Sequence, residues 1–220
     1  MTEVFSFPEE LSGRGLRAAF GERVPGVEGS TDKEEALGQL VEAHRSEVAR
    51  LGFSWDRLAL AEQVHGTGVA EVVAGGRVVS GVDGLVTDRW GVLLGIHVAD
   101  CAAVALVDAR TGALALLHSG RKGSEDGITT VALREMAGRY GTEPGDVWAR
   151  VSPCIRPPHY EVDFAALIHE QLRHAGVPEE QVADCGICTA ANIERYYSYR
   201  MEKGRTGRML ALLGWKDEES

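Results

Sequence analysis

Three short apolar runs, separated by only a few polar residues, constrain the fold of this chain most strongly. They cover residues 92–98, 102–107 and 113–117, and each is bounded by Asp, Gly or Thr. A buried helix usually needs at least about 10 residues, so runs this short predict buried strands. The turn-like segment 108–112 is expected to join the second and third strands as a hairpin.

Helical patterns lie on both sides of these strands. Three segments carry apolar residues at helical spacing: 33–51, 124–140 and 164–174. For the first of them Thr31 is the expected cap and Gly52 the expected stop. Residues 69–79, with Gly75 and Gly76 in the middle, predict a hairpin. The order of these elements predicts an α+β fold, a single domain over residues 1–220 with a mixed β-sheet flanked by helices in an α/β sandwich.

Composition excludes several functional classes. The chain has 220 residues, and 23 Lys and Arg against 33 Asp and Glu give a net charge of −10. Polymeric nucleic acid is therefore not an expected partner, because neutralising phosphates requires a basic surface. The longest apolar stretch, residues 91–109, contains His97, Asp100 and Asp108 and falls short of the roughly 20 apolar residues that span a membrane. The amino terminus has no signal-peptide pattern, so we expect a cytoplasmic protein without a membrane role.

Two histidines and a cysteine come directly after apolar runs. His65 follows the run 58–61, Cys101 follows residues 92–98, and His118 follows residues 113–117. If the three runs belong to one sheet, these side chains converge at its edge, and imidazole and thiolate groups are typical zinc ligands. Their spacing matches no short zinc motif. From the pattern alone, buried or hydrogen-bonded structural residues remain the alternative.

Two further segments carry cations. Residues 119–124 join a strand to a helix through two glycines with Arg121 and Lys122, which indicates either an anion site beside His118 or a solvated basic turn. Residues 195–208 interleave tyrosines with arginines, among them Tyr197 and Arg200. Such a segment can stack a base and hold an oxyanion, or it can form a half-buried edge of the fold.

The remaining cysteines are interpreted as structural. Cys185 and Cys188 have the spacing of a zinc knuckle or a redox pair, but the sequence has no second such pair. Cys154 follows Pro153, as in the zinc deaminase signature, but the second cysteine and the upstream His-x-Glu of that signature are missing. The corresponding deaminase fold is therefore excluded.

Taken in order, several blocks of this sequence resemble the YfiH-like laccase-domain family, also called the multicopper polyphenol oxidase or purine nucleoside phosphorylase family. The resemblance runs from about residue 60 to residue 210. It rests on these blocks: Gln63-Val64-His65-Gly66, Asp83-Gly84-Leu85-Val86-Thr87-Asp88, Ala99-Asp100-Cys101, His118-Ser119-Gly120, His159-Tyr160-Glu161-Val162, and Tyr197-Ser198-Tyr199-Arg200 with Thr206-Gly207-Arg208.

The resemblance implies a zinc ion bound by His65, Cys101 and His118 and activity on purine nucleosides such as adenosine, inosine and methylthioadenosine. Phosphorylase and adenosine deaminase activities are both described for the family, and the acceptor is phosphate or water accordingly. Arg121, Lys122 and Arg200 would then hold phosphate or ribose oxygens, and Tyr197 would stack the base. The older copper-oxidase label fits less well, because a multicopper site needs more histidines than seven scattered ones supply.

The sequence also departs from the family pattern. Arg121 and Lys122 stand where the family usually has Trp and Arg, Arg156 stands for a usual Gly, and Pro158 for a usual Cys. Two alternatives therefore accompany the zinc phosphorylase or deaminase hypothesis. One is a metal-free hydrolase with Cys101 as nucleophile and His118 or His65 as base. The other is a catalytically weakened paralogue that binds a small ligand.

Overall fold

Two β-sheets, packed face to face, form the centre of the molecule. The computed structural model describes residues 4–217. Within that range the strands, in chain order, are β1 (Leu16–Phe20), β2 (Leu58–Ala61), β3 (Val69–Glu71), β4 (Arg77–Val79), β5 (Gly84–Thr87), β6 (Leu93–Val98), β7 (Ala102–Asp108), β8 (Leu114–Ser119), β9 (Val147–Val151), β10 (Val182–Asp184) and β11 (Met209–Trp215).

The α-helices lie outside the two sheets. They are α1 (Glu9–Gly13), α2 (Lys33–Arg50), α3 (Arg121–Glu125), α4 (Ile128–Tyr140) and α5 (Phe164–Ala175). None of the helices among residues 4–217 is both long enough and apolar enough to cross a membrane.

Each sheet mixes parallel and antiparallel pairs. The first has the strand order β1-β11-β6-β2-β4, and the second has the order β10-β9-β7-β8-β5-β3. The chain passes from the first sheet to the second between β6 and β7, through residues 99–101. The predicted α+β class with mixed sheet and flanking helices is confirmed, and the strands divide between two sheets where the sequence predicted one.

Side chains of β7 alternate between the two faces of the second sheet, and this alternation divides the core into two layers. Ala103, Ala105 and Val107 face the first sheet and join a core shared by both sheets. Val104 and Leu106 face the opposite way and pack with α4 and α5. A smaller cluster packs the end of α2 against the outer face of the first sheet. Because β7 is buried on both faces, its sequence is a continuous apolar run, as expected for such a strand.

The predicted hairpin over residues 69–79 is wrong. β3 pairs in parallel with β5 in the second sheet, whereas β4 pairs in parallel with β2 in the first. The glycine pair between them lies against the chain that precedes β2, where a Cβ on Gly75 would come within 2.2 Å of the Arg57 carbonyl group. These glycines therefore allow a close backbone approach and not a tight turn.

Two helix boundaries also differ from the prediction. The segment 124–140 is split into α3 and α4, because Gly127 has a φ of 82° and breaks the helical path. The cap of α2 is Asp32 and not Thr31, since its carboxylate accepts a 2.8 Å hydrogen bond from the Glu35 amide. Asp and Thr are both good caps, so the residue type alone does not separate neighbouring positions.

Candidate active site

His65, Cys101 and His118 come together at one end of the two sheets. Their ligand atoms all lie within 4.8 Å of one another, and the rings of His65 and His118 meet edge to face with centroids 4.8 Å apart. The convergence agrees with the prediction, but the expected reason for it is wrong. β2 and β6 belong to the first sheet and β8 to the second, so the three residues meet between two sheets and not at the edge of one.

Strand register explains how the sheets bring these residues together. β2 and β6 run parallel, so the segments that follow them leave from the same end of the first sheet. In the second sheet, Ala102 of β7 faces Ser119 of β8. Cys101 therefore lies beside Gly120, one residue past the last paired position, and the crossing between the sheets carries the thiol to His118.

Asp83 forms hydrogen bonds with the ring of His118 and the backbone of His65. Its Oδ1 accepts a hydrogen bond from His118 Nδ1 at 2.8 Å and from the His65 amide at 2.9 Å. Its Oδ2 accepts from the Gly66 amide at 2.6 Å and the Val64 amide at 3.2 Å. The bond to Nδ1 leaves Nε2 of His118 free to bind a metal, which is the usual role of a carboxylate behind a metal-binding histidine.

Sequence reasoning missed this role of Asp83. The dipeptide Asp83-Gly84 is typical of a turn, and the block that contains it was used only as a sign of family resemblance. The structure places Asp83 directly before β5, which pairs with β8 so that Gly84 faces Leu117. That register, which is not visible in the sequence, puts the fully buried carboxylate next to His118.

The backbone around the site is held in an uncommon conformation. Gln63, His65 and Asp100 have φ values of 66°, 61° and 80°. Left-handed φ at a residue other than glycine costs on the order of 1 kcal/mol or more, and such residues cluster at functional sites. Asp100 is held by its neighbours, because its carboxylate accepts hydrogen bonds from the Thr189 hydroxyl at 2.6 Å and the Arg200 amide at 2.7 Å.

The cysteine and its neighbouring histidine perturb each other. Burial opposes ionisation of the Cys101 thiol, but His118 and His65 outweigh it and lower the pKa of Cys101 to about 6. Burial likewise opposes protonation of His118, but Cys101 and Asp83 raise the pKa of His118 to about 9. Without a metal, a thiolate next to an imidazolium is therefore the favoured state at neutral pH.

Gly120 allows the site to be this compact. A Cβ at this position would lie 2.8 Å from Cys101 Sγ and 3.5 Å from the His65 ring. We expect Gly120→Ala to displace the thiol and to weaken metal binding about tenfold or more, by disturbing ligand geometry. Metal titration by isothermal calorimetry measures this. Gly138→Ala in α4 is the control, since nothing lies within 4 Å of its Cβ. Equal metal affinity in both variants would contradict the expected crowding.

A cavity of about 710 Å³ opens over the three residues. Its walls come from α2, from the end of β6, and from the segments around residues 155–164 and 199–208. The lining residues are Lys33, Gln63, His65, His97, Ala99, Asp100, Cys101, His118, Arg121, Ile155, Tyr160, Phe164, Tyr199, Arg200, Lys203, Gly204 and Arg208. A cavity of this size with aromatic, apolar and cationic walls suits a small anionic or aromatic ligand.

Two of the predicted substrate-binding residues line this cavity. Arg121 and Arg200 both face Glu161, with nitrogen to oxygen distances of 2.9 and 3.9 Å. Arg121 also pairs with Glu125 at 3.1 Å. Arg200 lies over the ring of Tyr160 at 5.2 Å, which aligns a cation and an aromatic face on one wall. Tyr160 was not among the predicted ligand-binding residues, although it stands in one of the family blocks.

The other two predicted substrate-binding residues, Tyr197 and Lys122, do not line the cavity. Tyr197 is fully buried in the core shared by the sheets, and its hydroxyl contacts the backbone of Val24 and Val27. It therefore cannot stack a base in the cavity. Lys122 is exposed on α3 and does not line the cavity. In an alternating Tyr-Ser-Tyr segment the sequence does not say which tyrosine faces the ligand, and the structure places Tyr199 on the cavity wall.

The remaining cysteines lie outside the cavity lining. Cys154 is fully buried and forms a parallel bridge with Cys188, whose sulfur lies 3.7 Å from His159 Nδ1. Burial raises the pKa of Cys154 and Cys185. The four cysteines are free, so this cluster contributes packing and one backbone bridge.

Comparison with known proteins decides the family. The profile described as multi-copper polyphenol oxidoreductase laccase matches residues 29–166 and 162–216. The chain belongs to this family. Within the multi-copper polyphenol oxidoreductase laccase family, it is 31% identical to the purine nucleoside phosphorylase SCO2081 of Streptomyces coelicolor, over 92% of this chain and 96% of that protein. It is 34% identical to a purine nucleoside phosphorylase of Deinococcus radiodurans, over 76% of this chain and 74% of that protein.

Solved structures of the same family share the fold. The crystal structure of YlmD from Geobacillus stearothermophilus superposes with a TM-score of 0.84 at 26% identity and covers 92% of this chain and 93% of that one. Two of the residues at which this chain departs from the family pattern, Arg121 and Arg156, have partners within the fold. Arg156 pairs with Asp184, and its Nε donates to the Ile187 carbonyl at 3.2 Å.

Proposed function

We propose that this chain is a zinc-dependent purine nucleoside phosphorylase acting on nucleosides such as adenosine, inosine and methylthioadenosine. The observation that carries the proposal is the His65, Cys101 and His118 set, braced by Asp83, at the floor of a cavity with aromatic and cationic walls. Relatives with this activity in their names support the substrate class.

The donor set fits a single zinc ion with an open position. Two imidazoles and one thiolate, with a carboxylate behind one imidazole, are typical of catalytic zinc sites with three protein ligands. Gly120 leaves the space that a side chain would fill beside the thiol. When bound there, zinc would supply a positive charge that polarises phosphate or water and favours its deprotonated form. A multicopper oxidase needs further histidine ligands, and residues 4–217 place one such donor group together.

The chain's own residues would orient the substrate. Tyr160 and Tyr199 offer aromatic faces to a purine, and Arg200 and Arg121 offer guanidinium groups to ribose oxygens. In phosphorolysis, the C1′–N9 bond breaks, a C1′–O bond to phosphate forms, and the base leaves with the proton that the phosphate gives up. Positive charge develops on the sugar, so an anionic nucleophile held beside it stabilises the transition state.

We propose adenosine deamination as a second reaction at the same site. It needs water in place of phosphate, attacking C6 of the base and releasing ammonia, and the open metal position would serve either acceptor. Purified protein incubated with adenosine separates the two reactions. Adenine that appears only with phosphate indicates phosphorolysis, and inosine that appears without phosphate indicates deamination.

A metal-free cysteine hydrolase is supported by a different observation. Asp83, His118 and Cys101 follow one another as carboxylate, imidazole and thiol, with a pKa of about 6 for the thiol. This is the arrangement of an activated nucleophile. Metal analysis of protein purified without chelator tests it. We expect about one zinc per chain. Absence of metal together with inactivation by iodoacetamide at Cys101 would favour the hydrolase, and ligand binding without any product would favour a weakened paralogue.

A further inference from the structure

Three of the cations that line the cavity have no ion pair within residues 4–217: Lys33, Arg208 and the exposed Lys203. In the part of the chain that the structure describes, Lys33 and Arg208 form no ion pair, in contrast to Arg121 and Arg200, which face Glu161. Lys33 Nζ donates to the Glu62 carbonyl at 2.8 Å, and Arg208 Nη1 donates to the Gly207 carbonyl at 2.8 Å. Both side chains therefore bring a full positive charge to the cavity wall.

The carboxylates whose charges act on Lys33 and Arg208 are engaged elsewhere. Asp100 accepts from Thr189 and Arg200, and Glu202 pairs with Arg23. Glu62 accepts a hydrogen bond from the Gly81 amide at 2.7 Å, and Asp83 is occupied by His118 and three backbone amides. Burial and the charge of Arg208 lower the pKa of Lys33. Two cations that repel each other in this way are stabilised when an anion binds between them.

A buried imidazole lines the same cavity as these cations and the metal-binding residues. His97 is 8% exposed and lines the cavity, and its ring packs against His44 with centroids 5.2 Å apart. The backbone of His97 is clamped by the Gln63 side chain, which accepts from its amide at 3.0 Å and donates to its carbonyl. Within residues 4–217 the ring nitrogens of His97 have no protein hydrogen-bond partner, and because the residue lines the cavity they can bond to a ligand there.

We infer that Lys33, His97 and Arg208 form a subsite for a phosphate anion, separate from the Arg121 and Arg200 wall. This inference rests on the proposed phosphorylase function, in which phosphate is the second substrate and would bind at this subsite. The guanidinium of Arg208 offers two oxygens a planar set of donors, Lys33 offers a point charge, and the imidazole of His97 donates an N–H. Arg208 lies over the ring of Tyr199 at 5.8 Å, so Tyr199 borders this subsite, and the wall formed by Tyr160 under Arg200 is left for the nucleoside.

Binding of inorganic phosphate to the zinc-loaded protein tests the subsite. We expect Lys33→Gln and Arg208→Gln each to raise the phosphate dissociation constant at least about tenfold, measured by isothermal calorimetry, because each removes a charged hydrogen-bond donor. Arg208→Lys should restore part of the affinity. Arg205→Gln is the matched control, since Arg205 is an exposed cation of the same loop that does not line the cavity. Circular dichroism confirms that each variant is folded.

The outcomes separate the subsite from the proposed function. Nucleobase release with an unchanged phosphate KM in both variants would overturn the subsite and leave the phosphorylase standing. Phosphate binding that the variants weaken, without nucleobase release, would support the subsite and overturn the phosphorylase. An equal loss in Arg205→Gln would show general electrostatic attraction and overturn the subsite. Weakened binding of adenosine 5′-monophosphate alone, with free phosphate unaffected, would assign these residues to a phosphate ester and overturn the inference.

Discussion

Replacing Cys101 with alanine is expected to abolish both metal binding and turnover. The thiolate is the only anionic ligand among the three residues, and its loss leaves two neutral imidazoles. Removing a metal centre that supplies several kcal/mol of transition-state stabilisation lowers kcat/KM by about 10³-fold or more. Nucleobase release from adenosine with phosphate, and zinc content by mass spectrometry, are the two measurements.

A second cysteine provides the control for this variant. Cys185 is partly exposed and lies outside the cavity lining, so Cys185→Ala should retain zinc and activity. Retained turnover in Cys101→Ala would exclude the metal centre and the cysteine nucleophile alike. If Cys101→Ala loses turnover and the unmodified protein contains no zinc, the cysteine hydrolase is the better explanation.

The second large effect is expected at Asp83. Asp83→Asn keeps the size of the side chain but replaces an oxygen acceptor with an amide donor, which then faces backbone N–H groups or the His118 Nδ1. Four hydrogen bonds to a fully buried group are disturbed. We expect zinc affinity to fall about 10- to 100-fold, the usual cost of losing a carboxylate behind a metal ligand. The free energy of unfolding should fall by about 2–4 kcal/mol.

Asp88, at the other end of β5, provides the control for Asp83→Asn. Asp88 follows β5, is partly exposed, and pairs with the neighbouring Arg89 at 3.2 Å. Asp88→Asn should change neither zinc affinity nor the free energy of unfolding by more than about 0.5 kcal/mol. Urea unfolding of both variants, with and without chelator, separates the stability effect from the metal effect. Unchanged zinc affinity in Asp83→Asn would show that His118 does not depend on this carboxylate for its orientation.

The sequence predicted the individual strands better than their assembly into sheets. Short apolar runs correctly indicated β6, β7 and β8, because a strand buried on both faces leaves a local signature. The division into two sheets was not predicted, because the chain changes sheet at each step from β2 to β7 and most of the pairing partners of these strands lie far apart in sequence. The glycines at 75 and 76 were misread for the same reason, since a close approach to a distant carbonyl group resembles a turn in sequence.

Prediction of the site was limited in the same way, because contacts between distant parts of the chain are not visible in the sequence. His65, Cys101 and His118 were identified from their places after apolar runs, and family resemblance strengthened the set. Asp83 was missed because its role depends on the register of β5 with β8. Tyr197 was placed wrongly because the direction of a side chain in an irregular segment depends on packing, here against Val24 and Gly207.

In the proposed site, the metal-binding residues and the walls that would contact a substrate come from different parts of the chain. His118 and Asp83 are buried at the ends of strands, where any shift disturbs a packed core, and Asp83 also binds the backbone of the exposed His65. The walls around them come from chain segments far apart in sequence, near residues 33, 160 and 200, and several of their side chains are exposed. In the proposed site, substitutions in these exposed walls would therefore change ligand contacts at little cost in stability and leave the metal-binding residues in place.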